Sequence, residues 1–212
     1  MFPLFLDLRD RLCVVVGGGA VGRRKAGALL AAGARVRVVC LEERDAALTS
    51  SQLEWRREDF APAHLDEADL VFAAATPEVN RRVVAEAGRR KVWTNSADAP
   101  EAGDFYLPST LRRGDLVIAI GTKGAAPALA QKIRQRLETE FDDAYADWVA
   151  LLGELRGGIR TQVADPAKRR LIYQRLCHWR WLKRLRRQDV DTVRSAMSAM
   201  IRKLADLPLD DV

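Results

Sequence analysis

A chain of 212 residues with 48% hydrophobic and 30% charged residues can bury a proper core, and it has no apolar run near the roughly 20 residues that span a bilayer, so a disordered chain and a helical membrane protein are both excluded. The formal net charge is +6, and all of the excess lies in residues 151–212, which carry 14 basic and 7 acidic side chains. The opening MFPLFLDLRDR has no basic n-region and interrupts its apolar stretch with Asp7, and the three cysteines form no CxxC pair; neither a signal peptide, a disulfide framework nor a zinc site is indicated, and a cytoplasmic location is expected.

The first predicted strand, 12–16, is the apolar run Cys13-Val14-Val15-Val16, with Cys13 read as a small buried hydrophobe. It runs into Gly17-x-Gly19-x-x-Gly22, and an alanine-rich helical pattern follows over 20–32. In this strand–turn–helix context each glycine has a physical reason. Gly17 permits the tight turn, Gly19 removes a Cβ that would block a pyrophosphate, and Gly22 allows close packing. The free N–H groups and positive dipole end of the helix then favour an anion. Dinucleotide binding is the expectation.

A second strand, 35–40, leads to Leu41-Glu42-Glu43-Arg44, which places Glu42 twenty residues after Gly22. An acid there accepts hydrogen bonds from ribose hydroxyls and repels a 2′-phosphate, which favours NAD, although Arg44 is an arginine of the kind that accommodates that phosphate. The alternative for Glu42 is a solvated loop carboxylate. Further strands are predicted near 52–56, 69–74 and 91–95, with a helix over 77–90. Alternating strands and helices of this kind imply a parallel sheet covered on both faces. Thr76, at the end of the fourth strand, either lines the cofactor groove or caps the helix that begins at Pro77. Asp98, in the turn after the fifth strand, either faces the same crevice as a proton acceptor or orienting group, or is a turn former beside Pro100.

Past this point the character changes. Phe105-Tyr106-Leu107 and Leu116–Ile120 are strand-like, with Arg112 to Asp115 as a turn between them. From Pro127 onward the pattern is helical, with Leu129, Ile133 and Leu137 expected to form one buried stripe, and with breaks at Gly157-Gly158 and Asp165-Pro166. The stretch 168–187 carries nine basic residues and no acid, interleaved with Trp179 and Trp181. No nucleic-acid recognition motif accompanies it, and a solvated helical face with tryptophans turned to the core is the expectation rather than base stacking. His64 is expected to be exposed, and neither histidine belongs to a metal-ligand pattern, so no metal site is predicted. The fold class is α/β: a Rossmann-type domain over 1–112, a mixed connecting region over 113–150 and a helical C-terminal domain over 151–212.

Several of these segments together resemble a known family. PLFLDLRDRLCVVVGGGAVGRRKAGALLAAGA, VFAAATPEVNRRV, TNSADAPEAGDFYLPSTLRRGDLVIAI and GAAPALAQKIRQRLE are similar, in this order, to the precorrin-2 dehydrogenase/sirohydrochlorin ferrochelatase family, the N-terminal module of siroheme synthase. The resemblance covers roughly residues 2–140. It implies NAD-dependent oxidation of precorrin-2 to sirohydrochlorin, with many members also inserting Fe²⁺ as a substrate, and a homodimer whose dimerisation region is 113–150. It places cofactor contacts on Ala20, Val21, Leu41 and Glu42, and it assigns Asp98 a role in both chemistries. Ala126 stands where many relatives have serine, and Lys123 stands where glycine is common; these departures bear on chelation more than on dehydrogenation. The competing reading, a redox-sensing NAD-binding module without catalysis, has no need of a carboxylate at Asp98.

Overall fold

The computed structural model describes residues 2–206, and the chain divides into two compact units, 1–107 and 108–212. In the first unit, β1 (Leu12–Val16), β2 (Arg35–Cys40), β3 (Leu53–Arg57), β4 (Leu70–Ala73) and β5 (Trp93–Ser96) form one parallel sheet in the order β3-β2-β1-β4-β5. β1 is buried along its whole length because it is the central strand and is covered on both faces. Its alternate side chains feed two cores. Val14 and Val16 pack with Val71, Val83 and Ala87, on the side of α2 (Pro77–Arg90), while Cys13 and Val15 pack with Ala26, Leu29 and Phe72, on the side of α1 (Ala20–Ala31). Burial pushes the Cys13 thiol up to about 12 and raises that of Cys40 as well, so both cysteines behave as small hydrophobes, as the sequence suggested.

The strand order reverses direction between β1 and β4, which is the switch point where open α/β sheets bind ligands beyond their carboxyl ends. α2 ends on Lys91 in the left-handed conformation, φ +59°. His64 is half-buried rather than exposed: its Nδ1 accepts from Ala61 N–H at 3.0 Å and its Nε2 lies 3.1 Å from Glu58 Oε1, which holds the short turn Pro62–Leu65 in place.

The second unit begins with a hairpin of β6 (Ser109–Arg113) and β7 (Leu116–Ile120), closed by Gly114-Asp115 with Gly114 at φ +54°. The expected strand at 105–107 is absent, and the break between units falls ahead of 112 for the same reason. Phe105 belongs to the first unit, edge-on to Phe72 at 5.5 Å, and Pro108 separates it from β6. α3 (Pro127–Glu140) follows, with Pro127 at its start and its last carbonyls met by Arg113, whose guanidinium donates to Phe141 O at 2.7 Å and Glu138 O at 3.2 Å. Leu129 and Ile133 of the expected buried stripe are 52% and 38% exposed on this chain.

α4 (Ala144–Gln162), α5 (Pro166–Leu176), α6 (Arg180–Leu185) and α7 (Val190–Asp206) surround Trp148, Leu151, Ile159, Ile172, Leu176, Trp181 and Met197. α4 runs unbroken through Gly157-Gly158, because Leu151 and Ile159 anchor it on either side of the glycines. The break at Asp165-Pro166 is real: Asp165 caps α5, accepting from Ala167 N–H at 2.7 Å. The basic stretch is two helices rather than one. Trp181 is buried with its indole N–H on Arg175 O, whereas Trp179 is 60% exposed and packs against Tyr145 and Trp148. No helix among the described residues is long and apolar enough to cross a membrane.

Candidate active site

The carboxyl edge of the first sheet carries the glycine loop, the end of β2, the start of α2 and the loop after β5. The loop is compact at the level of single atoms. Gly17 has φ +115° and lies against Ala74 so closely that any Cβ would collide with the Ala74 carbonyl, and a Cβ on Gly22 would collide with the Gly17 carbonyl oxygen. Gly22 therefore serves the turn itself more than helix–strand packing. Around a Cβ on Gly19 there is open space, with nothing inside 4 Å. α1 then starts with an extended Gly19, no capping side chain and no acid in its first turn, so its leading N–H groups have no side-chain acceptor among the described residues. Ala20 and Val21 are exposed in that first turn. This is the geometry a pyrophosphate fits: an uncrowded approach at Gly19 and unclaimed donors behind it.

Gly18 lies outside the spaced glycine pattern, yet it packs against the end of the second strand. A Cβ there would stand 2.6 Å from Cys40 Sγ and 2.9 Å from Glu42 Oε2. The carboxylate of Glu42 is thus folded against the glycine loop, just beyond the second strand, where an acid is placed to accept from ribose hydroxyls. Glu42 and its neighbour Leu41 are exposed, and the Glu42 carbonyl accepts from the Trp55 indole at 3.1 Å. Arg44 is turned to the Leu48 carbonyl at 3.1 Å, and Arg23 clamps the loop from α1 by donating to Gly18 O at 2.6 Å.

At the other end, Thr76 is the N-cap of α2 and accepts a long bond, 3.4 Å, from Val79 N–H. Its hydroxyl proton is still free to donate, so capping and groove lining are compatible roles. Asn80, almost fully buried, accepts from Ala75 N–H at 2.9 Å and donates through Nδ2 to Asp98 Oδ1 at 2.7 Å. Ser96 donates its hydroxyl to the same oxygen at 2.8 Å. The carboxylate of Asp98 is exposed but held on two sides. Partial burial pushes its pKa up, yet the hydrogen bonds from Ser96, Asn80 and the nearby backbone N–H groups outweigh that and hold it below the ordinary aspartate value. Asp98 is therefore a fixed, ionised acceptor at neutral pH, suited to receiving an N–H from a ligand and orienting it.

The sign of that shift gives a first prediction. Replacing Ser96 by Ala removes a donor that stabilises only the anion, so the Asp98 pKa rises toward the ordinary 3.8. The carboxylate form, fully present above that value, is then lost at a higher pH as the solution is acidified. A carbon-13 NMR titration of the Asp98 carboxyl in both proteins measures it, and an unchanged midpoint contradicts the assignment of Ser96.

Asn80 and Ser96 are site residues that the sequence reading does not reach. Asn80 occupies the buried stripe of α2 with Val83 and Ala87, and an asparagine in a core position is the signal that marks it. Among the described residues, no group of three or more His, Cys, Asp or Glu side chains is arranged to hold a metal ion.

The sheet order and the loop geometry define an NAD(P)-binding protein of the Rossmann class. Residues 4–109 match the family model described as NAD(P)-binding, and residues 113–140 match the model for the sirohaem biosynthesis protein central region. The chain belongs to the NAD(P)-binding family of the first model and carries the central region of sirohaem biosynthesis proteins. It is 38% identical over 182 residues to the siroheme synthase of Nitrosospira multiformis, covering 82% of this chain and 39% of that protein. Siroheme synthase 2 of Pectobacterium atrosepticum is 35% identical over 214 residues, covering 99% of this chain and 46% of the relative. The chain thus spans less than half the length of these relatives. The solved structure of SirC, a precorrin-2 dehydrogenase, has the same fold, with a TM-score of 0.78 and 23% identity over 96% of this chain and all of that one.

Proposed function

We propose that this chain dehydrogenates precorrin-2 to sirohydrochlorin with NAD as the acceptor. The observation that carries the reading is the Asp98 carboxylate, fixed by Asn80 and Ser96 at the same sheet edge as the glycine loop. A module that only sensed the redox state of a nucleotide would not need it. NAD, when bound, supplies the hydride-accepting ring. Gly19, Ala20 and Val21 would offer backbone N–H groups to its pyrophosphate on the turn that Gly17 and Gly22 allow, Glu42 would take the ribose hydroxyls, and exposed Leu41 offers apolar surface to the adenine. Thr76 lines the groove toward Asp98. Asp98 receives a macrocycle N–H and fixes the reduced carbon against the acceptor, so that the main contribution of the protein is alignment. Glu42 beside Gly18 favours NAD over its 2′-phosphorylated form. The test is NADH formation from precorrin-2 by the purified chain, with NADP as a poor substitute; no reduction of either nucleotide would overturn the reading. Insertion of Fe²⁺ as a second substrate is a separate activity, assayed by adding iron to the finished reaction. A cytoplasmic setting, where thiols such as Cys177 stay reduced, belongs to the same proposal.

The second unit supplies support for a homodimer with its dimerisation region within 113–150. Leu129 and Ile133, four residues apart on one side of α3, are left exposed, and β7 is an apolar strand in a sheet of only two strands. A second copy of the chain covers this face. Light scattering should give about twice the 23.6 kDa of the chain, and the double variant Leu129→Glu/Ile133→Glu should shift the mass toward the monomer. A wild-type monomer at micromolar concentration would contradict it.

A further inference from the structure

Lys25 sits on the second turn of α1, half-buried beneath the helix. Its Nζ donates to Asn95 Oδ1 at 2.7 Å and stands 5.2 Å from the centre of the Phe72 ring. Burial, with the adjacent Arg24 charge, holds its pKa below the usual lysine range. Asn95 is buried on β5, and its Nδ2 donates to the carbonyl of Phe105 at 2.9 Å. The segment between Asn95 and Phe105 is the loop that bears Asp98. Its return is sewn to the strand by Asp104, whose N–H donates to Thr94 O and whose carboxylate accepts from Thr94 N–H, both at 2.8 Å. Gly103 passes so near that a Cβ would stand 2.8 Å from Thr94 O.

We propose that Lys25 is a positioning residue for Asp98, acting through Asn95. An asparagine amide has two orientations of nearly equal shape, and only the partners of its oxygen and nitrogen choose between them. In the flipped orientation, NH₂ would face the ammonium and the side-chain oxygen would face the Phe105 carbonyl, two repulsive pairings in place of two hydrogen bonds. The ammonium of Lys25 therefore selects the orientation that holds the far end of the loop. The helix that begins at the glycine loop thus also sets the position of the Asp98 loop, so both ends of the site are registered to one element. The catalytic consequence rests on the dehydrogenase reading above; the structural consequence does not.

The test uses Lys25→Met, which keeps the stem and removes the donor, Lys25→Arg, which keeps a donor, and Asn95→Asp, which keeps the acceptor for Lys25 and removes the Nδ2 donor. With precorrin-2 and NAD, Lys25→Met should lower kcat about tenfold to a hundredfold, the scale of a small misplacement of a reacting group. The KM for NAD should stay within about twofold, since the glycine loop is untouched, and Lys25→Arg should recover most of kcat. Added to Asn95→Ala, which removes both the acceptor for Lys25 and the Nδ2 donor, Lys25→Met should cost little more in kcat, because the two act in one chain of contacts. Independently of turnover, hydrogen exchange of the amides over 97–104 should quicken in Lys25→Met and in Asn95→Asp but not in Lys25→Arg. Unchanged exchange in Lys25→Met and Asn95→Asp, or fully additive losses in kcat, would overturn the proposal. If Lys25→Met does not fold, exchange in Asn95→Asp and Lys25→Arg decides the same question. If the wild type fails to oxidise precorrin-2, the functional reading falls while exchange still decides the role of Lys25.

Discussion

Asp98→Ala should reduce NADH formation from precorrin-2 by about a hundredfold or more, the range lost when a positioned proton-handling or orienting group is removed, while the dissociation constant for NAD changes less than about twofold. The expectation follows from where the carboxylate is held. Oδ1 takes bonds from Asn80 and Ser96, so the group is fixed before any ligand arrives, and none of its partners belongs to the glycine loop. Removing it leaves the nucleotide cradle whole. The loss should therefore fall on kcat and on the tetrapyrrole KM, not on the KM for NAD. Asp98→Asn keeps the shape and an acceptor oxygen but loses the charge; it should retain more turnover than the alanine variant if orientation by hydrogen bonding dominates. Titration calorimetry with NAD and initial rates with precorrin-2 measure the two halves. Equal turnover in Asp98→Ala and wild type would remove Asp98 from the mechanism.

Gly22→Ala is expected to have the opposite signature. The new methyl group would run into the carbonyl oxygen of Gly17, which is backbone and has Ala74 packed directly behind it. Neither a rotamer change nor a small shift relieves such a collision, so the turn must open. Overpacking of this kind costs about 1–3 kcal/mol or more, and the opened turn no longer presents the N–H groups at the start of α1. NAD affinity should fall by about a hundredfold or more, with a clear drop in Tm. Gly88→Ala is the control. It lies in α2 with nothing inside 4 Å of a Cβ, so it should leave NAD binding alone and gain about 1 kcal/mol of helix stability. NAD affinity preserved in Gly22→Ala would mean that the loop does not grip the nucleotide in this conformation.

The Rossmann half is legible in the sequence because its signals are redundant. A continuous apolar strand, three spaced glycines and a helix pattern agree with one another, and the parallel order follows once strands and helices alternate. Glu42 is legible by spacing alone, and the structure adds what spacing lacks: its carboxylate lies against Gly18. Asn80 and Lys25 are not legible as site residues, since each takes its meaning from a partner far along the chain, Asp98 and Asn95. Asn80 nevertheless sits within the buried stripe of α2 and Lys25 beside that of α1, where polar side chains need a reason. The strand at Ser109–Arg113 escapes a sequence reading because it is mostly polar, while aromatic Phe105 and Tyr106 draw the strand reading; the pull of Phe72 on Phe105 is tertiary and invisible locally. The stripe of Leu129 and Ile133 shows in its period, but periodicity says that a face is apolar, not which chain covers it.

The most direct test follows both products of one reaction: the purified chain with precorrin-2 and NAD, recorded by absorbance for NADH and for sirohydrochlorin together. The expected result is one NADH for each sirohydrochlorin formed, with both signals lost in Asp98→Ala and NAD binding retained. NAD bound tightly with no sirohydrochlorin formed, or sirohydrochlorin formed at the same rate without NAD, would contradict the assignment of this site as a precorrin-2 dehydrogenase.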